Sequence, residues 1–318
     1  MLPFLIRRLL ATVPVLLGVT IAVFLVMTLM PGDAVVARLG TDAPPELVAQ
    51  FRAMYGLDRP VHHQLGEWLG RVVRLDFGVS VVSGRPVMRS IVQRLPATIE
   101  LAVASLMIAV LIGVPLGVAA AWWKGRIADV LARLFALLGL SIPNFWLALL
   151  LMLWFSLALR WLPATGYASL IDDPLRHLRH VLLPALTLGT GMAAVVARFV
   201  RASLLDVLRL DYVRTATGKG LAPRTVLWRH ALRNALIPVT TVLGIQLGAL
   251  LGGTVIIEDI FAWPGLGRFA LQAIHERDYP VIQTVVMVVA TFYVLINLAV
   301  DVLYAFLNPK IRYHDGTG

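Results

Sequence analysis

Six stretches of this 318-residue chain are apolar and free of charge for about the length that crosses a bilayer: 9–30, 101–123, 134–159, 181–197, 235–257 and 281–300. Roughly 20 helical residues cover the ~30 Å of hydrocarbon. A backbone in lipid must satisfy its own hydrogen bonds, and a helix does so within each segment. The shortest run, 181–197, contains Pro184 and is expected to extend at either end. The runs predict an all-α integral membrane protein with six transmembrane helices. Composition agrees: 59% of residues are hydrophobic and 14% charged, against about half and a quarter in a soluble domain. MLPFLIRR leads into a run long enough to span, and no small-residue cleavage site follows it. It reads as a first span rather than a removed leader.

An even number of spans puts both termini on one side. With that side in the cytoplasm, the whole net charge of +10 falls there, carried by Arg7, Arg8, Lys124, Arg126, Arg133, the fourth-to-fifth connection, Lys310 and Arg312. Lys and Arg in short loops mark the cytoplasmic face, so the expected topology is N-in/C-in. Basic excess distributed this way reports orientation, with membrane lipid as the expected partner of its anionic-headgroup contacts, and does not call for nucleic acid. The absence of cysteine excludes disulfides and thiolate chemistry. Residues 31–96 are expected to form a small external helical insertion. TDAPPELVAQFRAMYGLD has Thr41 or Asp42 as a cap, prolines at a helix start and Gly56 near its end. In the next segment Val61, Leu65, Trp68, Leu69 and Val72 share one helical face. That face is expected to lie on the outer membrane surface or on a partner.

No catalytic constellation is visible. The stretch TATGKGL resembles a phosphate loop only superficially, because Lys219 is followed by Gly220 and Val213 stands where the first glycine belongs. His62 and His63 are neighbours on a helix and point about 100° apart, which suits a solvated surface. His177 and His180 share one face but have only Asp172 and Asp173 nearby as further ligands, so an interfacial loop is the expected setting. The spans carry almost no charge; Glu100 and Asp301 sit at span ends, where solvation is the simplest reading. Ion-coupled transporters working alone usually hold intramembrane acids or bases, and none shows here. SIPNF breaks the third run. Pro143 frees carbonyls there and Asn144 offers a donor and an acceptor, which makes Ser141, Pro143 and Asn144 candidates to line a translocation path. Gly244 and Gly248 give one GxxxG, suited to close helix packing.

The longest cytoplasmic connection, 206–234, is expected to be a structured projection. A helix with Leu204, Leu208 and Tyr212 on one stripe leads into it; Gly218 and Gly220 stop that helix, and Pro223 starts another toward the fifth span. Here the sequence resembles the permeases of importers of the ATP-binding-cassette class. Aligned on Gly220, the general EAAxxxG pattern finds Ala216 and Gly220 in place. Arg214 stands at its leading Glu, and Arg233 at the Pro of the following IxLP. The peptide/nickel branch is matched more closely, with DYVRTATGKGL and HALRNALIP here, and with LMPGD, YGLDRPVHHQ, LDFGVS, RLPATIELA, LLPALTLG, FAWPGLGR, RDYPVIQ and NLAVDVLYAFLNPKIR in order along almost the whole chain.

The resemblance implies one permease domain over residues 1–318 with the type I importer fold, of the subunit type with a long first external segment, in a bacterial plasma membrane. It also implies a heterodimer with a second, homologous permease, two cytoplasmic ATPase subunits that bind ATP and Mg, and an external substrate-binding protein. The chain itself would bind no cofactor and catalyse nothing. Asp211, Tyr212, Arg214, Thr215, Ala216, Gly218, Lys219, Gly220, Leu221 and His230 would form the coupling contact with the ATPase. Cargo of the branch includes di- and oligopeptides, glutathione, and nickel or its chelates. Charge-poor spans without a chelating set favour peptides over bare metal. An ion-coupled secondary transporter acting alone is the alternative of another class.

Overall fold

A computed structural model describes residues 2–29, 40, 43–54, 56 and 58–307; Thr41 and Asp42, the LMPGD residues after Leu29, Tyr55, Leu57, and the tail with Lys310 and Arg312 lie outside them. The described residues form helices α1 (Leu2–Leu29), α2 (Pro45–Met54), α3 (Val61–Val73), α4 (Val87–Trp122), α5 (Ile127–Ser141) and α6 (Asn144–Leu151), the last continued by a π-helical turn, Met152–Ala158. Then follow α7 (Pro174–Val207), α8 (Asp211–Gly218), the short α9 (Pro223–Thr225), a second π-helical turn (Val226–Ala231), α10 (Leu232–Ile260), α11 (Leu266–Glu276) and α12 (Tyr279–Leu307). Among them the sole sheet-like pairing is an isolated bridge between Val79 and Pro86.

Among the described residues the six apolar runs fall on helix but for their outermost residues, the third of them across a break. Four helices (α1, α4, α7 and α12) are long and apolar enough to cross a membrane, and up to six spans result if two bent pairs each count as one. In the first pair α5 and α6 are bent by 104°. The cause is local: a residue before proline is pushed out of the α region, and Ile142 (φ −80°, ψ 121°) and Pro143 (φ −63°, ψ 135°) are both extended. The second pair bends by 56° within Pro223–Ile260.

The chain divides into two compact units, residues 1–98 with 264–294, and residues 99–263 with 295–318. In the first, Met27, Val87, Ile91, Leu266, Ala273, Val281 and Ile282 bury a core between α1, α4, α11 and α12. The middle of the α3 stripe is covered within the unit, while Val61 at its start stays 42% exposed. Trp68, 4% exposed, packs with Leu65 and Val72 against Phe24, Phe77, Met88 and Met287. Burying an aromatic ring is worth more than resting it on a surface. Asp278 fastens the turn after α3: its buried carboxylate accepts the Ser80 hydroxyl and the amides of Val81 (3.2 Å) and Val82 (3.4 Å).

In the second unit α7 is the buried axis, with 67% of its most apolar window inside, against 17–39% for the other three candidate spans. Asp173 caps it by accepting the Arg176 amide at 2.9 Å, with Pro174 in the first turn. The α4 helix approaches it where α4 has no side chains. A Cβ on Gly117 would sit 2.6 Å from the Ala197 carbonyl oxygen and 2.6 Å from Val200 Cβ, and Gly113 makes the same approach one turn earlier. Gly244 likewise lies directly against Val300. The start of α5 is tied to α7 by a bidentate ion pair: Arg201 Nε and Nη2 reach the two Asp129 oxygens at 2.7 and 3.0 Å, and the Gly125 amide donates to the same carboxylate. Asp129 is 2% exposed, and with these donors it meets the requirement that a buried charge be paired and hydrogen-bonded.

The glycine contact gives a direct test. Gly117→Ala is expected to cost about 1–3 kcal/mol, because the contact is with backbone and cannot yield. Gly18→Ala, with nothing within 4 Å, should stay within about 0.5 kcal/mol of wild type. Thermal unfolding of the two detergent-solubilised variants would refute the close packing if both behaved alike.

Candidate functional site

The segment between α7 and α10 folds by local rules that the sequence displays, with one departure. The helix expected to run through Leu204, Leu208 and Tyr212 ends at Val207, turns over Leu208–Leu210, and restarts at Asp211. The turn folds α8 back so that Val213 and Ala216 bury against Val226, with Val207 and Leu208 packed beside them. Burial of that small apolar face outweighs continuation of a straight helix. At its other end α8 closes with the paired hydrogen bonds of a Schellman cap: the Gly220 amide donates to Thr217 O at 3.0 Å and the Leu221 amide to Ala216 O at 3.4 Å. Gly220 has φ +80°, a conformation that side chains disfavour. Ala222 is extended before Pro223, which opens the next helix.

The root of the projection is pinned twice. Ser203 Oγ donates to the Ala235 carbonyl at 2.8 Å, joining α7 to α10. Tyr212 OH accepts from Asn234 Nδ2 at 2.8 Å and donates to the His230 carbonyl at 3.3 Å; Asn234 Nδ2 also reaches that carbonyl at 3.2 Å. The His230 carbonyl thus accepts from both side chains. Ala216 is buried, while Asp211, Arg214, Thr215, Gly218, Lys219, Gly220 and Leu221 are exposed. The Arg214–Asp211 pair, 3.4 Å apart and open to solvent, adds little stability and leaves both charges available. Asn234, within the HALRNA block, is the residue that sequence reasoning passed over.

The two helices that hold this projection also wall a cleft of about 450 Å³. Leu188, Gly191 and Met192 come from α7, Gln246 and Ala249 from α10, and Pro143 and Asn144 from the α5–α6 break. Asn144 and Gln246 bring uncharged hydrogen-bonding groups into a concavity whose other lining residues are apolar or glycine. Ser141 ends α5, exposed and outside this lining.

The other singled-out groups have structural settings. His177 is buried, its Nδ1 lies 2.8 Å from the Ala168 carbonyl, and its ring meets Tyr167 and Trp263 edge-on. His180 Nδ1 lies 2.7 Å from the Arg176 carbonyl. Glu100 is not merely solvated, because Tyr167 OH donates to it at 3.1 Å. Burial, and then this carboxylate, push the Tyr167 hydroxyl up to about 12, so it remains a donor through the physiological range. His62 and His63 are exposed, rings 4.5 Å apart, beside an open groove with Arg59, Arg71 and Arg74. Among the described residues no group of three or more His, Asp or Glu is placed to hold a metal ion.

A polytopic helical chain with a capped projection rooted in the helices of an apolar cleft has the form of a transport permease, and the comparisons agree. Residues 113–313 match the family described as binding-protein-dependent transport system inner membrane component, and residues 1–102 match its N-terminal membrane component. The chain belongs to that ABC-transporter permease family. It is 45% identical over 313 residues to the glutathione transport system permease protein GsiC of Salmonella typhimurium strain LT2, covering 98% of this chain and 100% of that one. Identity to GsiC of Escherichia coli strain K12 is 44% over the same spans. In fold, 70% of the chain matches 98% of a chain of the methionine ABC transporter MetNI, solved in an inward-facing conformation, with a TM-score of 0.55 and 19% identity; a second crystal form gives 0.56 and 20%.

The clamp at the root predicts a local effect. Tyr212→Phe should remove about 1 kcal/mol of local stability, speeding amide exchange across α8 roughly fivefold while the rest of the chain exchanges as wild type. Unchanged exchange in α8 would show that the clamp does not hold it.

Proposed function

We propose that this chain is one of two membrane subunits of an ATP-driven importer and forms half of a translocation pathway for small peptides, glutathione among them. The observation that carries the reading is the continuity between projection and cleft. The exposed α8–α9 segment joins α7 to α10, and these same helices wall the cleft. A partner ATPase that grips Arg214, Thr215, Gly218, Lys219 and Leu221 would move both walls as its own halves close around ATP and Mg. Short, capped and hydrogen-bonded at its root, the projection transmits force instead of absorbing it. Alternating access then follows from tilting α7 and α10 about the cleft.

The orientation that suits this is N-in/C-in, with the projection in the cytoplasm of a bacterial inner membrane. Residues 31–96 would lie outside, where a substrate-binding protein delivers cargo, and a second permease would complete the pathway. Cleft chemistry supports a peptide cargo. Asn144 and Gln246 can pair with amide groups, whereas carboxamides in an apolar wall are poor ligands for a bare nickel ion. The glutathione permeases that match the chain end to end point the same way.

Gly220→Pro tests the coupling role. Proline locks φ near −65°, which is incompatible with the +80° at this position. Membrane insertion should persist, while glutathione- or dipeptide-stimulated ATP hydrolysis and uptake by the assembled transporter in liposomes fall by about tenfold or more. Arg214→Glu should act in the same direction. Full coupling in both variants would sink the proposal. Gradient-driven uptake by the chain alone, without ATPases, would replace it with a secondary transporter.

A further inference from the structure

A second cavity, of about 270 Å³, opens on the flanks of α5 and α7. Its floor is apolar and shallow because the side chains are small: Ala132 and Ala136 stand one turn apart on α5 and face Ala197 of α7, with Leu140 a turn further on. Leu140 is 47% exposed, and its neighbour Leu137 62%, so the apolar wall opens outward from the chain. Three guanidiniums, of Arg133, Arg198 and Arg201, border the same cavity.

The charges do not balance. Arg201 is committed to Asp129 through both of its hydrogen bonds. Arg133 also reaches Asp129, at 3.4 Å, yet its side chain is 58% exposed. Arg198 is exposed and meets no carboxylate among the described residues; its guanidinium lies 5.8 Å from the centre of the Phe199 ring. Three positive groups thus share one carboxylate at the end of an apolar slot. An arginine fork is suited to phosphate oxygens, and basic pockets between membrane helices take anionic headgroups.

We propose that this cavity binds an anionic phospholipid, with the phosphate on Arg133 and Arg198 and an acyl chain along Ala132, Ala136 and Leu140. A free phosphate shares the headgroup chemistry but gains nothing from the alanine–leucine wall. Zwitterionic lipid fills that wall but brings no net charge to meet the two positive charges in excess over Asp129. Lipid occupancy fixes the α5–α7 contact, and does so independently of which cargo is carried.

The test is native mass spectrometry and thermal unfolding of the full chain in neutral detergent. It is titrated with dioleoylphosphatidylglycerol, with dioleoylphosphatidylcholine, and with inorganic phosphate. One saturable phosphatidylglycerol site is expected, with a raised melting temperature that the other two additions do not reproduce. Arg133→Gln and Arg198→Gln should each weaken it roughly fivefold, and Arg179→Gln, outside the cavity, should leave it unchanged. Equal binding of the two lipids, displacement by inorganic phosphate, or unaltered phosphatidylglycerol affinity when Arg133→Gln and Arg198→Gln are combined would each overturn the proposal. If an arginine variant does not fold, the comparison of the three additives on the wild-type chain decides.

Discussion

The second unit depends on how closely other helices approach α7. In lipid there is no hydrophobic gain from moving apolar surface out of water, so helices associate through close packing and hydrogen bonds. At Gly113 and Gly117 the α4 backbone comes near enough to α7 that a single added carbon would overlap the facing carbonyls, those of Ala193 and Ala197. On another side, the Asp129–Arg201 pair fixes α5 to α7 in a setting where an unpaired charge would be costly. With α7 held in this way, the break at Pro143, the root of the projection and the wall of the cleft all share one reference.

From that reference the route from projection to cleft is short. Ser203 and Ala235 join α7 to α10 at the base, and Tyr212 and Asn234 close the loop above it. The Schellman cap at Gly220 closes α8 at its far end. Further along, α7 and α10 contain Pro184 and Pro238. Each proline removes an intrahelical hydrogen bond and makes a place to bend. Stiffness at the loop with compliance in the spans is the distribution that the proposed coupling requires.

Much of this was legible because it is local. A run of uncharged apolar residues predicts its own helix, Ile-Pro predicts its own break, and the Gly220–Pro223 spacing predicts a stop followed by a start. What escaped was whatever depends on a distant residue. Periodicity showed that α3 has an apolar face, but not that Phe24 and Met287 cover it. The ends of α5 and α7 looked like loop charges, whereas Asp129 and Arg201, 72 residues apart, form a buried pair. Asp278 reads as an ordinary polar residue until Ser80 is seen on it. The turn at Leu208–Leu210 was hidden because its gain, the burial of Val213 and Ala216 on Val226, comes from the next helix. Gln246 lay unnoticed in an apolar run, its role visible only once Asn144 was placed across the same cleft.

The central claim is that the projection moves as a rigid body and carries the cleft walls with it. Because the chain has no cysteine, spin labels can be placed on introduced pairs alone, one at Thr217 and Arg233 within the projection and one at Ile142 and Ala249 across the cleft. Pulsed electron–electron distances are then compared in the assembled transporter with and without ATP and vanadate. The account predicts an unchanged distance within the projection and a shifted distance across the cleft. A projection that changes shape while the cleft stays fixed would contradict it.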